Sequence, residues 1–322
     1  MRTVVTGGAG FIGSTLVDRL LHDGHDVVVV DDLSTGRLEN LADAFGSGRV
    51  QVAEIDVAGP DLATVVAEAR PEVVYHLAAQ IDVRRSVADP SFDARVNVLG
   101  TIQVARAAIE AGCRRMVFAS SGGTVYGEPD PADLPIPETY ARGVTNPYGV
   151  SKRSAEDYLA SFAGLYGLEA VSLRLANVYG PRQDPHGEAG VVAIFCNRLL
   201  DDQTVTVFGD GLQTRDYVFV DDVVAAFALA GSSDQASGES INVGTGIASS
   251  VLDLYGALRA VTGFGREPSF APQRAGELLA ISLDCSKADR LLGWRPEFDL
   301  RAGLERTWAW EFQEVNAGSV GG

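Results

Sequence analysis

The stretch VTGGAGFIG at residues 5–13 constrains this chain more than any other. Three glycines, Gly7, Gly10 and Gly13, stand where a short apolar run, Thr3 to Thr6, gives way to a helically spaced one, Phe11 to Leu21. Glycines at such a junction permit a tight turn and let an anion approach the helix N-terminus, whose free amides and dipole favour negative charge. The alternation then continues. His25 to Val30 is a run of β-branched valines ending in Asp31 and Asp32, and Val50 to Ile55, Val73 to Leu77 and Arg115 to Ala119 read as further strands. Helical segments such as Ala94 to Ala111 lie between them. Strands alternating with helices predict an α/β fold, a doubly wound parallel sheet covered on both faces.

After about Ala176 the rhythm loosens into loops rich in Gly, Pro and Asp with shorter elements between them, which predicts a smaller C-terminal lobe. We expect residues 1–176, with about 218–244, to form a Rossmann-type nucleotide-binding domain, and 177–217 with 245–322 a substrate-binding lobe. At 322 residues the chain can bury a large core. Its net charge of -17 repels nucleic acid and anionic membranes as a general field, so an anionic ligand needs locally placed arginines. No apolar run approaches the ~20 residues of a membrane span, and no basic-then-apolar leader opens the chain. Cys113, Cys196 and Cys285 are far apart, without metal-ligand or CxxC spacing, and read as reduced core thiols. These features predict a soluble, cytoplasmic protein.

The second strand ends at Asp31, the offset at which a carboxylate accepts hydrogen bonds from an adenosine ribose. An acid there also repels a 2′-phosphate, so NAD is favoured over NADP, with Arg37 the one nearby feature on the other side. In NPYGVSK, Tyr148 and Lys152 are four apart, and on a helix they share a face. An ammonium beside a phenol stabilises phenolate. Bringing a tyrosine from about 10 to neutrality requires roughly 4 kcal/mol of differential stabilisation, which two cations in a water-poor site can supply.

Taken together, TGGAGFIG, Asp31, HLAAQ, VNVLGT and YGVSK resemble the extended short-chain dehydrogenase/reductase superfamily. LANVYGPRQDPHGEAGVVAIF, FGDGLQTRDYVFVDDVV, INVGTG and LGWRP are similar to its bacterial UDP-glucose (UDP-galactose) 4-epimerase branch, over nearly the whole chain. The resemblance implies tightly held NAD, with Gly7, Gly10, Phe11, Ile12 and Gly13 at its pyrophosphate and Asp31 and Asp32 at the adenosine. Asp56 and Val57 would lie by the adenine, Leu77, Ala78, Ala79 and Gln80 along the cofactor, Asn97 in its support, and Lys152 at the nicotinamide ribose beside Tyr148. It further implies that Tyr148 removes the sugar O4 proton while C4 gives hydride to NAD, and that the 4-keto sugar then turns over and is reduced on its other face.

For the UDP-sugar the matching positions are Asn177, Val192, Thr206, Phe208, Arg215, Arg274 and Glu277. Arg215 and Arg274 would clamp the diphosphate, since guanidinium binds phosphate oxygens in pairs, and Thr206 and Phe208 would wall the uracil. A homodimer through the helices near 94–111 and 150–166 is implied as well.

The chain departs from these relatives where they place a Ser or Thr four residues before the tyrosine of VYG, because that position is Gly122. On an extended segment Thr124 would point the same way and is the first replacement, with Ser121 second if the glycines let the backbone turn. Alternatively Gly122 and Gly123 only make room for substrate. Sugar dehydratases carry an Asp-Glu pair where this chain has Gly123 and Thr124, which disfavours that chemistry. Ile281 stands at a sugar-gating position, so UDP-N-acetylglucosamine stays an alternative. UDP-glucuronate ranks lower, because Asp184 stands where a cation is wanted. A non-enzymatic NAD-sensing role is disfavoured by the retained Tyr-Lys pair.

Overall fold

Seven parallel strands, several of them rich in valine, run through the centre of the molecule, the inner ones buried on both faces and the edge strand Val50–Glu54 partly exposed. The computed structural model describes residues 1–141, 143–186, 190–274 and 278–319. In chain order the strands are β1 (Arg2–Thr6), β2 (Asp26–Asp31), β3 (Val50–Glu54), β4 (Val73–His76), β5 (Arg115–Ser121), β6 (Glu169–Leu175), β7 (Asn177–Tyr179), β8 (Thr206–Phe208), β9 (Thr214–Phe219), β10 (Ser240–Val243), β11 (Ala248–Ser250) and β12 (Ser269–Ala271). The central sheet has the order β10-β6-β5-β4-β1-β2-β3. It therefore reverses direction of winding between β1 and β4, the point at which a doubly wound sheet opens a crevice at its carboxyl ends.

Two apolar clusters cover the sheet, one on each face. On one side the Phe11–His22 helix places Leu16, Val17 and Leu20 with Val223, Val224 and Phe227 of the Val220–Ser232 helix. On the other, Leu62 and Val66 of the Leu62–Ala69 helix meet Val104 and Ala105 of the Gly100–Glu110 helix and Ala155 and Leu159 of the Pro147–Tyr166 helix. Beyond β6 the chain builds two small sheets, β11-β9-β7 and β12-β8, and the chain from Val220 to Val243 returns to the central sheet to add β10. Among the described residues no helix is long and apolar enough to cross a membrane.

Two local expectations are corrected. The helix foreseen over Ala94 to Ala111 is interrupted by a π-helical turn at Arg95–Leu99, and that wider turn carries the buried Asn97. Past Ser121 the chain is not extended either, because Gly122–Val125 form a single helical turn, so residues 122 and 124 do not share a face as they would on a strand.

A buried ionic network ties these layers together. Arg174 of β6 forms a bidentate pair with Glu156 of the Pro147–Tyr166 helix, at 2.6 Å and 3.0 Å, with both side chains almost wholly buried. Ser120 Oγ donates to the same carboxylate at 2.5 Å, and Arg174 Nη1 donates to the Tyr126 hydroxyl at 2.9 Å. Tyr126 in turn donates to Asn242 of β10 at 2.7 Å, whose amide nitrogen reaches the Ile136 and Asp284 carbonyls. Truncating one partner leaves an uncompensated buried charge. Arg174→Met is expected to lower the unfolding free energy by about 3–5 kcal/mol, read from urea denaturation with an unchanged m-value.

Candidate active site

At the carboxyl end of β1 the chain makes its tightest turn. Gly7 has φ +69°, and a Cβ there would lie 2.6 Å from the Ala78 nitrogen. A Cβ on Gly13 would overlap the Gly7 carbonyl oxygen, so the first helical turn can press directly onto the loop. That helix starts at Phe11 with Gly10 as its N-cap, no capping side chain and no acid in its first turn, leaving the amides around Phe11, Ile12 and Gly13 for an anion. Asp31 stands beside the turn, its carboxylate accepting from the Ala9 amide at 2.9 Å and the Leu33 amide at 2.9 Å. Burial raises its pKa, and these two amides oppose the rise. A cradle closed to any Cβ, an uncapped helix end and a buried carboxylate match the pyrophosphate and adenosine ribose of NAD.

The other predicted cofactor residues line the same crevice or support it. Asp32 spends its Oδ1 on the amide and hydroxyl of Ser34, which makes it a turn former. Asp56 accepts from the Ala58 amide and from Arg95 Nη1, both at 2.8 Å. Burial works the other way, but these bonds hold its carboxyl below the usual range. Val57 is buried beneath it. Leu77 and Ala78 follow β4 and bond back to Thr6 at 3.0 Å and 3.2 Å, with Ala79 and Gln80 next along the chain.

Asn97 clamps that segment from both sides, its Oδ1 accepting from the Gln80 amide at 2.9 Å and its Nδ2 donating to the Gln80 carbonyl at 2.8 Å. Its Nδ2 also donates to Asp93, a fully buried carboxylate that takes Gln80 Nε2 at 3.0 Å and Ser151 Oγ at 2.5 Å. Asp93 and Ser151 were not foreseen, since nothing in the local sequence marks an acid as buried.

The Pro147–Tyr166 helix carries the Tyr148 and Lys152 pair. Asn146 caps it by accepting from the Gly149 amide, and Pro147 occupies its first turn. Gly149 lets the helix lie against the Gly122–Val125 turn, because a Cβ there would sit 2.8 Å from the Thr124 carbonyl oxygen. Burial pushes the Tyr148 phenol well above its ordinary pKa, Asp93 adds to the rise and the nearby Ser121 side chain opposes it. Lys152 Nζ donates to the Ala119 carbonyl at 2.9 Å and lies 5.8 Å from the centre of the Tyr148 ring. Burial lowers its pKa to about 8, while Asp93 and Glu156 hold the proton on. The protein's own groups thus leave Tyr148 protonated, where the Tyr-Lys spacing alone suggested a depressed pKa. Burial outweighs one cation that is already turned toward a carbonyl.

Thr124 behaves differently from Ser121. Its Oγ1 is buried and has no hydrogen-bond partner among the described residues, and the residue lines a cavity of about 170 Å³ with Ser121, Gly123, Asn177, Arg215 and Ile281. Arg215 Nη1 donates to the Thr214 carbonyl at 2.8 Å. On the β12-β8 sheet the Arg274 guanidinium lies 3.9 Å over the Phe208 ring, and Thr206 on the same strand as Phe208 meets Ser269 at 3.1 Å. Val192 is buried in the core with Phe195 and Leu199, so its side chain does not face this cleft and only its backbone could. Glu277 lies outside the described residues. Arg37 is paired with Asp184 at 3.5 Å. A larger hollow of about 470 Å³, lined by Ala58, Leu62, Gln103 and Arg106, lies between two helices and includes none of the predicted site residues.

Comparisons with known proteins show the family and the fold. Residues 3–244 match the NAD dependent epimerase/dehydratase family. The chain is 52% identical to a UDP-glucose 4-epimerase of Mycolicibacterium smegmatis, covering 95% of this chain and 97% of that protein. Among solved structures it is similar to the UDP-glucose 4-epimerase of Thermotoga maritima with UDP-glucose, at TM-score 0.92 and 43% identity, covering 98% of this chain and 100% of that one. It is also similar to the Thermus thermophilus UDP-glucose 4-epimerase in complex with NAD, at TM-score 0.88 and 41% identity, covering 97% and 99%. With its glycine turn, buried Asp31 and neighbouring Tyr148 and Lys152, and with matches along its whole length, this chain belongs to the NAD dependent epimerase/dehydratase family.

Proposed function

We propose that this protein is an NAD-dependent UDP-hexose 4-epimerase that interconverts UDP-glucose and UDP-galactose. The observation that carries the reading is the half-buried Tyr148 set beside Lys152, with Ser121 as a neighbour that lines a cavity together with Thr124, Asn177 and Arg215. When bound, NAD supplies the acceptor and the donor of a hydride. The chain's own groups move the proton and hold the substrate.

Tyr148 would take the proton from the sugar O4 and later return it, with Ser121 as the hydroxyl between phenol and sugar and Lys152 as the cation that steadies phenolate. Thr124, buried without a partner, would donate to a sugar oxygen and recover the hydrogen bond it otherwise lacks. Arg215 and Arg274 would clamp the diphosphate, Asn177 would sit at its edge, and Thr206 and Phe208 would wall the base. Two guanidinium groups at this cleft answer the need for local positive charge on a chain of net charge -17. The leading alternatives, UDP-glucuronate and UDP-N-acetylglucosamine, differ only at the sugar.

The NAD-loaded protein should convert UDP-galactose to UDP-glucose faster than either alternative sugar nucleotide. Absence of UDP-glucose among the products overturns the reading. In the same assay Ser121→Ala should lower kcat about 100-fold, the usual scale for a proton-transfer group. Thr124→Val should act mainly through KM, by about 5-fold, the worth of one neutral hydrogen bond.

The pH profile reports on Lys152. Because burial lowers its pKa to about 8, the cation beside Tyr148 is present below that pH and lost above it, so kcat/KM should fall on the alkaline side of about 8. Asp93 favours the charged form, and Asp93→Asn should therefore move that limb to lower pH. A limb that stays in place dissociates Lys152 from it.

We further propose a homodimer formed through the helices around residues 94–111 and 147–166. Leu99, Val150, Tyr158, Leu165 and Tyr166 stand exposed on these elements, an apolar set that association would cover. Light scattering of the NAD-loaded protein should give twice the 34.0 kDa chain mass, and a monomeric mass at micromolar concentration removes the proposal.

A further inference from the structure

The two glycines after Ser121 differ in what surrounds them. A Cβ on Gly123 would meet nothing within 4 Å, in keeping with its place on the cavity wall. A Cβ on Gly122 would lie 2.5 Å from Leu283 Cδ1, 3.2 Å from its Cδ2 and 3.1 Å from the Leu175 carbonyl oxygen. Leu283 has nowhere to go. It is 1% exposed and packed among Val125, Tyr126, Ile136 and Ile281. Its amide donates to Asp216 Oδ2 at 3.2 Å, and on either side of it the Ser282 carbonyl and the Asp284 amide bond to Ile136, each at 2.9 Å. Asp216 is itself buried and locked by the Thr245 and Gly246 amides at 2.7 Å and 3.0 Å.

We infer that Leu283 is a positioning residue for the proton-transfer machinery: by filling the space beside the end of β5 it bars any side chain from position 122, and so leaves Ser121 as the hydroxyl that meets Tyr148. A residue of the C-terminal lobe thereby decides which residue of a strand in the first lobe reaches the phenol. The inference rests on the reading of Tyr148 as the acid/base, but the steric pair can be measured without it.

Thermal melting of the NAD-loaded protein reads the contact in the absence of substrate. Gly122→Ala should lower Tm by about 3 °C or more, the scale of overpacking by one methyl, whereas Gly123→Ala should not. In a Leu283→Ala background Gly122→Ala should cost nothing further. A Gly122→Ala protein that melts like the unaltered one overturns the inference, whether or not UDP-galactose is turned over. Catalysis supplies the reading that a merely structural role would not move. Ser121→Ala should lower kcat about 100-fold in the unaltered protein but less than about 10-fold in a Gly122→Ser/Leu283→Ala background, where a hydroxyl can stand one residue further on. An equal loss in both backgrounds overturns it. If the unaltered protein turns over no UDP-hexose, the proposed function fails, and the melting cycle alone decides the role of Leu283.

Discussion

The close approach of the Gly7 turn to the chain leaving β4 is the constraint from which the rest of the site is built. It occurs where the winding of the sheet reverses, and it is possible only because no Cβ separates Gly7 from Ala78 or Gly13 from Gly7. From that contact a buried polar chain runs to the catalytic helix. Thr6 Oγ1 bonds His76 Nδ1 at 2.7 Å, His76 Nε2 bonds Thr101 Oγ1 at 3.0 Å, and Thr101 donates to the Asn97 carbonyl at 2.7 Å. Because Thr101 spends its proton on Asn97, the imidazole proton belongs on Nε2. Burial, with Lys152 nearby, lowers the His76 pKa to about 3 and keeps the ring neutral. Asn97, Gln80 and Asp93 continue the chain to Ser151, next to Lys152 in sequence. Fully satisfied buried networks of this kind specify one arrangement, since any partner lost leaves a desolvated group behind.

The electrostatics follow from burial more than from pairing. Tyr148 is driven up and Lys152 down by the same loss of water, and both feel Asp93, so one unforeseen carboxylate acts on both members of the pair. Such a site holds its proton at rest. In the proposed reaction the positive charge of bound NAD would complete the balance and couple proton transfer to a loaded crevice. In the proposed substrate complex the arginines would answer a second imbalance, since a strongly acidic chain admits a diphosphate only where guanidinium groups outweigh the general field.

The fold was legible to a large extent because it is written in local periodicity. The glycine turn, the valine strands and Asp31 sit within short windows whose chemistry has one structural solution, and the expected parallel sheet follows from their alternation. The failures were also physical. The π turn at Arg95–Leu99 leaves the apolar pattern of an ordinary helix intact, so the sequence does not announce it. Asp93, Ser151, Glu156 and Arg174 read as surface residues because charge suggests exposure, and only partners brought from other elements make their burial tolerable.

Gly122 shows where the boundary lies. Residue types and spacing by themselves determined the parallel sheet, the glycine turn and the Tyr-Lys pair, and the family resemblance added that a hydroxyl was missing at one position. Whether Ser121 or Thr124 meets the phenol depended on the backbone turning into a helix at Gly122 and on Leu283 arriving from 161 positions further along the chain (283 less 122). Spacing along a chain specifies which side chains share a local face. It carries no record of which distant atom already fills the space beside them, and that volume is settled only when segments remote in sequence pack together.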